Sequence, residues 1–219
     1  MKVDLRLNAI VDPERANGRS LVELTRLVVA GGATLIQLRD KHGATRQMIG
    51  QARAIKAALA GTGVPLVVND RVDVALVAEA DGVHVGQEDM RAEDARRLLG
   101  PRAIIGLSIK SVALADAAPL DALDYVGVGG VYATTSKDNP SPPIGVAGLR
   151  DIVAALRARR RDLPICGIAG IDAANAAAVI GAGADGVAVI SALSRHANPQ
   201  AAARALRAVV DTALQARRR

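Results

Sequence analysis

The chain of 219 residues contains no tryptophan, no phenylalanine and two tyrosines. A protein surface that stacks unpaired bases needs aromatic rings, so no single-strand nucleic-acid platform is expected. One cysteine, Cys166, excludes an intrachain disulfide and any cysteine-rich metal cluster. Three scattered histidines, His42, His84 and His196, lack the spacing of a zinc site. No uninterrupted apolar run reaches the ~18 residues that suggest a membrane span. The first residues, MKVDLRLNAIVD, show neither the apolar stretch nor the small-residue cleavage site of a signal peptide. Also missing are a GxGxxG after the first strand-like run, a P-loop and a GxSxG elbow. The expectation is a cytoplasmic protein with no membrane or nucleic-acid partner.

What is present begins with charge and core. Lysine and arginine outnumber aspartate and glutamate by 28 to 22, and half of the residues are apolar. A sizeable core is therefore possible, and the net charge of +6 suits anionic substrates. The densest basic cluster, RARRR at 157–161, closes a helical stretch, where cations complement the dipole. The second, at 217–219, reads as a frayed basic tail.

The apolar pattern alternates along the whole chain. Short β-rich runs read LNAIV, TLIQLR, VPLVV, GVHVG, AIIGLSI, YVGVGGV, PICGIAG and GVAVI. Between them lie stretches of helical spacing at 20–30, 45–60, 72–80, 92–99, 112–117, 146–159, 173–182 and 199–215. Strands with few charges suit a parallel sheet buried on both faces. Eight such units predict an α/β fold, a single (β/α)₈ TIM barrel occupying 1–219. Asp172 and Asn198 are placed to cap the last two helices, and Pro199 suits a first helical turn. The joints GGATLIQ, EADGVHV, LDYVGV and GADGVAV read as weak repeats of one turn.

In such a barrel, chemistry sits at the C-terminal ends of the strands. Strand 2 leads into Gln37, Arg39, Asp40 and Lys41, and strand 3 into Asn69 and Asp70. Strand 4 leads into Gln87, Glu88 and Asp89, and strand 5 ends in Ser108 and Lys110. The loop after strand 6 carries Thr134, Thr135, Ser136 and Lys137. Gly170 and Ser191 follow strands 7 and 8, where barrels bind phosphate through backbone N–H groups. Asp70 and Asp89 each have two readings: a helix N-cap, or a carboxylate of one shared Mg²⁺ site. Cys166 lies in an apolar strand and reads as an inert buried thiol. His84 alternates with Val83 and Val85 and reads as barrel interior. Position alone favours a Mg²⁺-dependent enzyme acting on phosphorylated small molecules.

The ordered set QLRDK, VVNDRVDVALVAEADGVHVGQEDM, IIGLS, DYVGVGGVYATTSK, PPIG, PICGIAGI and GADGVAVISAL resembles the thiamine phosphate synthase family. The resemblance runs from about Ile10 to Ala192. It implies a transferase that joins a pyrimidine methyl diphosphate to a thiazole phosphate, releasing pyrophosphate and giving thiamine monophosphate. It implies a dissociative substitution, in which a pyrimidine-stabilised cation is attacked by the thiazole nitrogen. Gln37, Arg39, Asp40, Lys41, Asn69, Ser108 and Lys137 would then meet the pyrimidine substrate and its diphosphate. Among these, Arg39, Lys41, Ser108 and Lys137 would serve catalysis, and Asp70 and Asp89 would hold Mg²⁺. Thr134, Thr135, Ser136, Gly170, Ile190 and Ser191 would hold the thiazole phosphate. Partners would be the two small-molecule substrates, with homo-oligomerisation left open. Three positions depart from the family pattern. Gly130 replaces a proline, Lys110 stands where histidine is common, and Ala169 replaces a glycine. The alternatives are a thiazole tautomerase, which carries histidine where Ser108 stands, and a non-catalytic barrel that binds thiamine intermediates.

Overall fold

The computed structural model describes residues 3–136 and 142–218. Eight parallel strands close into a barrel in sequence order. They are β1 (Leu7–Val11), β2 (Leu35–Leu38), β3 (Leu66–Asn69), β4 (Gly82–Val85), β5 (Ile104–Ile109), β6 (Tyr125–Gly129), β7 (Ile165–Ile168) and β8 (Gly186–Val189). Outside them run α1 (Leu21–Ala30), α2 (Thr45–Ala58), α3 (Val72–Val77), α4 (Ala92–Leu99), α5 (Val112–Ala117), α6 (Gly145–Arg159), α7 (Ala176–Gly181), α8 (Ser191–Ser194) and α9 (Pro199–Arg218). All eight expected strands form, and register pairs β8 with β1 to complete the closure. No helix among the described residues is long and apolar enough to cross a membrane.

Differences from the sequence expectation have local causes. The four-residue helix α8 is too short to leave a periodic signal. The helix expected over 173–182 forms only at Ala176–Gly181. Asp172 builds the preceding turn instead, its Oδ1 accepting from the Ala174 N–H at 2.9 Å. Asn198 does cap α9, its Oδ1 accepting from the Ala201 N–H at 3.0 Å. Arg217, expected to fray, continues α9 and donates to the Ile180 and Ala184 carbonyls at 3.2 and 2.6 Å. Arg219 lies outside the described residues.

Two apolar clusters hold the layers together. The larger lies between strands and helices, with Leu149 and Leu156 of α6 and Ile55 of α2 fully buried in it. Each such side chain gains roughly 2 kcal/mol over exposure. The smaller is the barrel interior: Val3, Leu5, Ile10, Leu35, Val67, Ile104, Tyr125, Cys166 and Ala188. Side chains two apart on a strand share a face. Gln37 therefore stands above Leu35 and Asn69 above Val67. An apolar plug below thus dictates a polar layer above.

The repeated joints have one structural job. Asp81, Asp124 and Asp185 each precede a strand and accept from an N–H at the start of the neighbouring strand. The donors are Leu66, Ile105 and Ile165, at 2.7, 2.8 and 3.0 Å. Each aspartate also pairs with a cation, Lys56, Arg96 or Arg157 respectively, that its helix carries over the joint. Gly186 follows Asp185 because a Cβ there would stand 1.7 Å from the Leu5 carbonyl oxygen. Gly186→Ala is expected to cost about 3 kcal/mol or more, since backbone has to move to admit the methyl. Urea unfolding measures this, and a wild-type midpoint would remove the argument.

Candidate functional site

A cavity of about 540 Å³ opens at the C-terminal end of the barrel. Its lower wall is the interior layer, with Ile10, His84, Gly127, Ile168, Ala188 and Ile190. Of the residues expected at a site, Gln37, Arg39, Asn69, Ser108, Thr134, Thr135, Ser136, Gly170, Ile190 and Ser191 all line it. Residues from β2, β3 and β5 and from the loops after β6, β7 and β8 therefore converge on one space. Lys137 lies outside the described residues.

Beside the cavity wall at Arg39 lies an ionic cluster whose other members, Asp12, Lys41, Asp70 and Asp89, are not among the lining residues. The Arg39 guanidinium pairs with Asp12, a buried carboxylate at the end of β1. Asp12 also accepts from the Glu14 N–H at 2.9 Å, which fixes the turn it sits in. Lys41 pairs with Asp70, just past the wall that Asn69 supplies. Asp70 adopts a left-handed conformation with φ of 65°, and its N–H donates to the His84 carbonyl at 2.8 Å. Asp89 turns back over its own loop, its Oδ2 accepting from the Gly86 N–H at 2.7 Å. Burial raises the Asp89 carboxyl above the ordinary range, and the Asp70 carboxylate beside it pushes in the same direction. The Gly86 N–H and the Lys41 charge oppose that rise.

Neither aspartate is a helix cap. Arg71 and Arg91 occupy the N-cap positions of α3 and α4, and neither helix has a side-chain cap bond. The carboxylates face one another instead. Two carboxylates and one ammonium leave negative charge to be met, which fits a hard cation. Among the described residues no group of three or more His, Cys, Asp or Glu could hold a metal. Mg²⁺ tolerates a two-carboxylate site because it keeps waters and substrate oxygens as its other ligands.

Asp40 differs from the expectation. Its Oδ1 accepts from the His42 and Gly43 N–H groups at 3.2 and 2.7 Å, so it shapes the loop that presents Lys41.

The side formed by the loops after β6, β7 and β8 carries hydroxyls and backbone, with Asp172 and Arg195 also lining the cavity there. The Ser136 N–H donates to Thr134 Oγ1 at 3.1 Å, and Ser136 Oγ donates to Ser191 Oγ at 3.0 Å. The loop after β6 and the start of α8 are joined there. Ala169 and Gly170 both take positive φ, 83° and 65°, and turn the backbone beside them. A Cβ on Gly170 would lie 2.5 Å from the Ala133 carbonyl oxygen, so only glycine fits. Ala169 holds a conformation that glycine adopts more readily, which matches its departure from the family pattern. Lys110 is exposed on the cavity wall, and Gly130 accepts from the Ile144 N–H at 2.9 Å.

Asp12, His84, Tyr125 and the cavity-lining Arg195 were not foreseen as site residues. Asp12 ends β1, and the rim rule applied to that strand would have found it. His84 and Tyr125 were legible only as interior. His84 Nε2 lies 2.9 Å from Ser108 Oγ, and its Nδ1 lies 2.9 Å from the Tyr125 hydroxyl. Cys166 sits below them, fully buried, its thiol pushed up to about 12 chiefly by burial. It is expected to resist iodoacetamide at pH 8 in the folded protein and to react once unfolded, as mass spectrometry would show. Rapid native labelling would contradict the burial.

The cavity has an apolar floor, Arg39 on the β2 side next to the carboxylate cluster, and hydroxyls with Asp172 and Arg195 on the side of the β6–β8 loops. Such a cavity is of a size to take a small molecule. A family model described as thiamine monophosphate synthase matches residues 7–193. A thiamine-phosphate synthase of Agrobacterium fabrum is 53% identical over 99% of this chain and 98% of its own length. One of Moorella thermoacetica is 48% identical over 94% of this chain and 96% of its own length. Among solved structures, a thiamine phosphate pyrophosphorylase from Pyrococcus furiosus superposes with a TM-score of 0.84. It is 36% identical and covers 97% of this chain and 98% of its own.

Proposed function

The chain belongs to the thiamine monophosphate synthase family, and from that premise we propose how its cavity makes thiamine monophosphate. The enzyme is a transferase that condenses the pyrimidine diphosphate with the thiazole phosphate. The observation that supports the residue assignment is that Gln37, Arg39, Asn69 and Ser108 line the same cavity as Thr134, Thr135, Ser136, Gly170, Ile190 and Ser191. Gln37 and Asn69 hold the pyrimidine, and Ser108 meets the same substrate. Arg39 and Lys41 meet the diphosphate; Lys137, assigned to the same group by the sequence, lies outside the described residues. Thr134, Thr135, Ser136, Gly170, Ile190 and Ser191 hold the thiazole phosphate.

Chemistry follows from these placements. The bond between the pyrimidine methylene and the diphosphate oxygen breaks, and the departing diphosphate keeps the electron pair. The thiazole nitrogen supplies the pair for the new C–N bond. Arg39 and Lys41 offset the charge that grows on the leaving group, in a cavity where such pairing is stronger than in water. Mg²⁺ held by Asp70 and Asp89 would neutralise the same charge. The apolar floor keeps water from the cationic methylene. No protein nucleophile is needed.

The test is direct. Purified protein is mixed with both substrates and Mg²⁺, and thiamine monophosphate and pyrophosphate are expected in equal amounts. Folded protein that forms neither product would overturn the reading. Isomerisation of a thiazole carboxylate phosphate instead would assign it to tautomerase chemistry. The one cysteine and its buried thiol fit a reducing cytoplasm.

A further inference from the structure

His84, Gly106 and Tyr125 lie at one level on three adjacent strands, as the register of β4, β5 and β6 pairs them in turn. Gly106 has no side chain, so the imidazole and the phenol meet across it, with ring centroids 5.3 Å apart. A Cβ at Gly106 would fall 2.2 Å from the Tyr125 ring and 2.5 Å from His84 Nδ1. Ser108 stands two residues nearer the mouth on β5, and His84 Nε2 reaches its hydroxyl. The result is a chain from the dry interior to the cavity: Tyr125 hydroxyl, imidazole, Ser108 hydroxyl.

The direction of that chain is set by burial. A neutral imidazole has one N–H donor and one acceptor nitrogen. Tyr125 is fully buried in the apolar interior, and among the described residues His84 Nδ1 is the acceptor its hydroxyl meets. Ser108 borders the cavity and has water or ligand as another partner. If Nδ1 carried the proton, the phenol O–H would be buried without an acceptor, which costs far more than turning the serine. An imidazolium would leave the same phenol stranded. Desolvation also raises the Tyr125 hydroxyl well above its ordinary value, so it stays protonated. Tyr125 therefore donates to Nδ1, Nε2–H donates to Ser108 Oγ, and the serine proton turns into the cavity.

We infer that Tyr125 and His84 are positioning residues that fix Ser108 as an O–H donor aimed at an anionic oxygen of the diphosphate-bearing substrate. The kinetic part rests on the synthase reading, while the tautomer does not. A donor held in place before reaction stabilises charge that grows on oxygen during bond breaking. Each hydrogen bond in the chain polarises the next. The effect belongs in kcat more than in KM, because charge on the oxygen rises toward the transition state.

Two experiments test the relay. With ¹⁵N-histidine labelling, the chain has three imidazoles, and His84→Gln identifies the signal of His84. The wild type is expected in the Nε2–H form at pH 7.5, and Tyr125→Phe is expected to keep that form but move the Nδ1 resonance, because this acceptor loses its donor. An Nδ1–H form or an imidazolium in the wild type would overturn the inference, whatever reaction the protein catalyses. In kinetics, Tyr125→Phe is expected to lower kcat roughly 10-fold with KM for the diphosphate substrate changed less than about 3-fold. In a Ser108→Ala background the same change is expected to cost less than about 2-fold, because the donor it orients is gone. Equal losses in both backgrounds would make Tyr125 merely structural and sink the relay.

Discussion

Asp70→Asn/Asp89→Asn is expected to lose about 10³-fold in kcat/KM while keeping its fold. Asparagine is chosen because Asp70 sits at φ of 65°, which asparagine tolerates and alanine resists. Asparagine at 89 also keeps an acceptor for the Gly86 N–H. Stability is not expected to fall. The raised Asp89 carboxyl means that the fold disfavours its charged form. A carboxyl raised on folding binds its proton more tightly in the native state. Its penalty is therefore present above the folded value and fades as pH drops through it, so removing the charge at neutral pH relieves the fold. Metal linkage gives a second readout. Mg²⁺ with pyrophosphate is expected to raise the wild-type Tm, as any ligand that binds only the native state does. The double variant is expected to show no such rise. Full turnover, or an equal Mg²⁺ shift in both proteins, would overturn the assignment.

The barrel was legible because its signals are redundant. Each strand is a short apolar run, each helix a longer periodic one, and the order alternates throughout. The rim followed from position, since Arg39, Asn69 and Ser108 each lie at a strand's C-terminal end. The pairing of Asp70 with Asp89 was legible only as one of two readings. An aspartate before a helix reads first as a cap, and only closure of the barrel shows that Arg71 and Arg91 take that place. Asp40 shows the converse. Its spacing matches Arg39 and Lys41, yet two backbone N–H groups claim its carboxylate. The relay through His84 was hidden for a geometric reason. His84, Gly106 and Tyr125 are distant in sequence and meet only through strand register. A glycine in a strand is a weak local signal, although here it is the gap that lets the two rings touch.

Arg39→Ala is the second variant with a large expected effect, and it separates two roles of one side chain. Arg39 is mostly buried, and Asp12 beneath it is 2% exposed. Removing the guanidinium leaves a buried carboxylate without its cation. That is expected to cost about 3 kcal/mol of stability, since the loss of one partner of a buried pair is dominated by the charge left behind. Activity is expected to fall about 10²- to 10³-fold, because the leaving diphosphate loses a preorganised cation. Arg39→Lys keeps the charge but not the planar fork, so it should recover stability better than rate. The deciding variant is Asp12→Ala/Arg39→Ala, measured by urea unfolding and by turnover. With no charge stranded, stability is expected to return most of the way toward wild type. Turnover is expected to remain as low as in Arg39→Ala alone. If the double variant regained activity along with stability, Arg39 would be a structural partner of Asp12. If neither returned, Asp12 would carry a role in the turn at Glu14 larger than its pairing with Arg39. The expected split, stability restored and rate not, follows from a guanidinium that faces a buried carboxylate on one side and the cavity on the other.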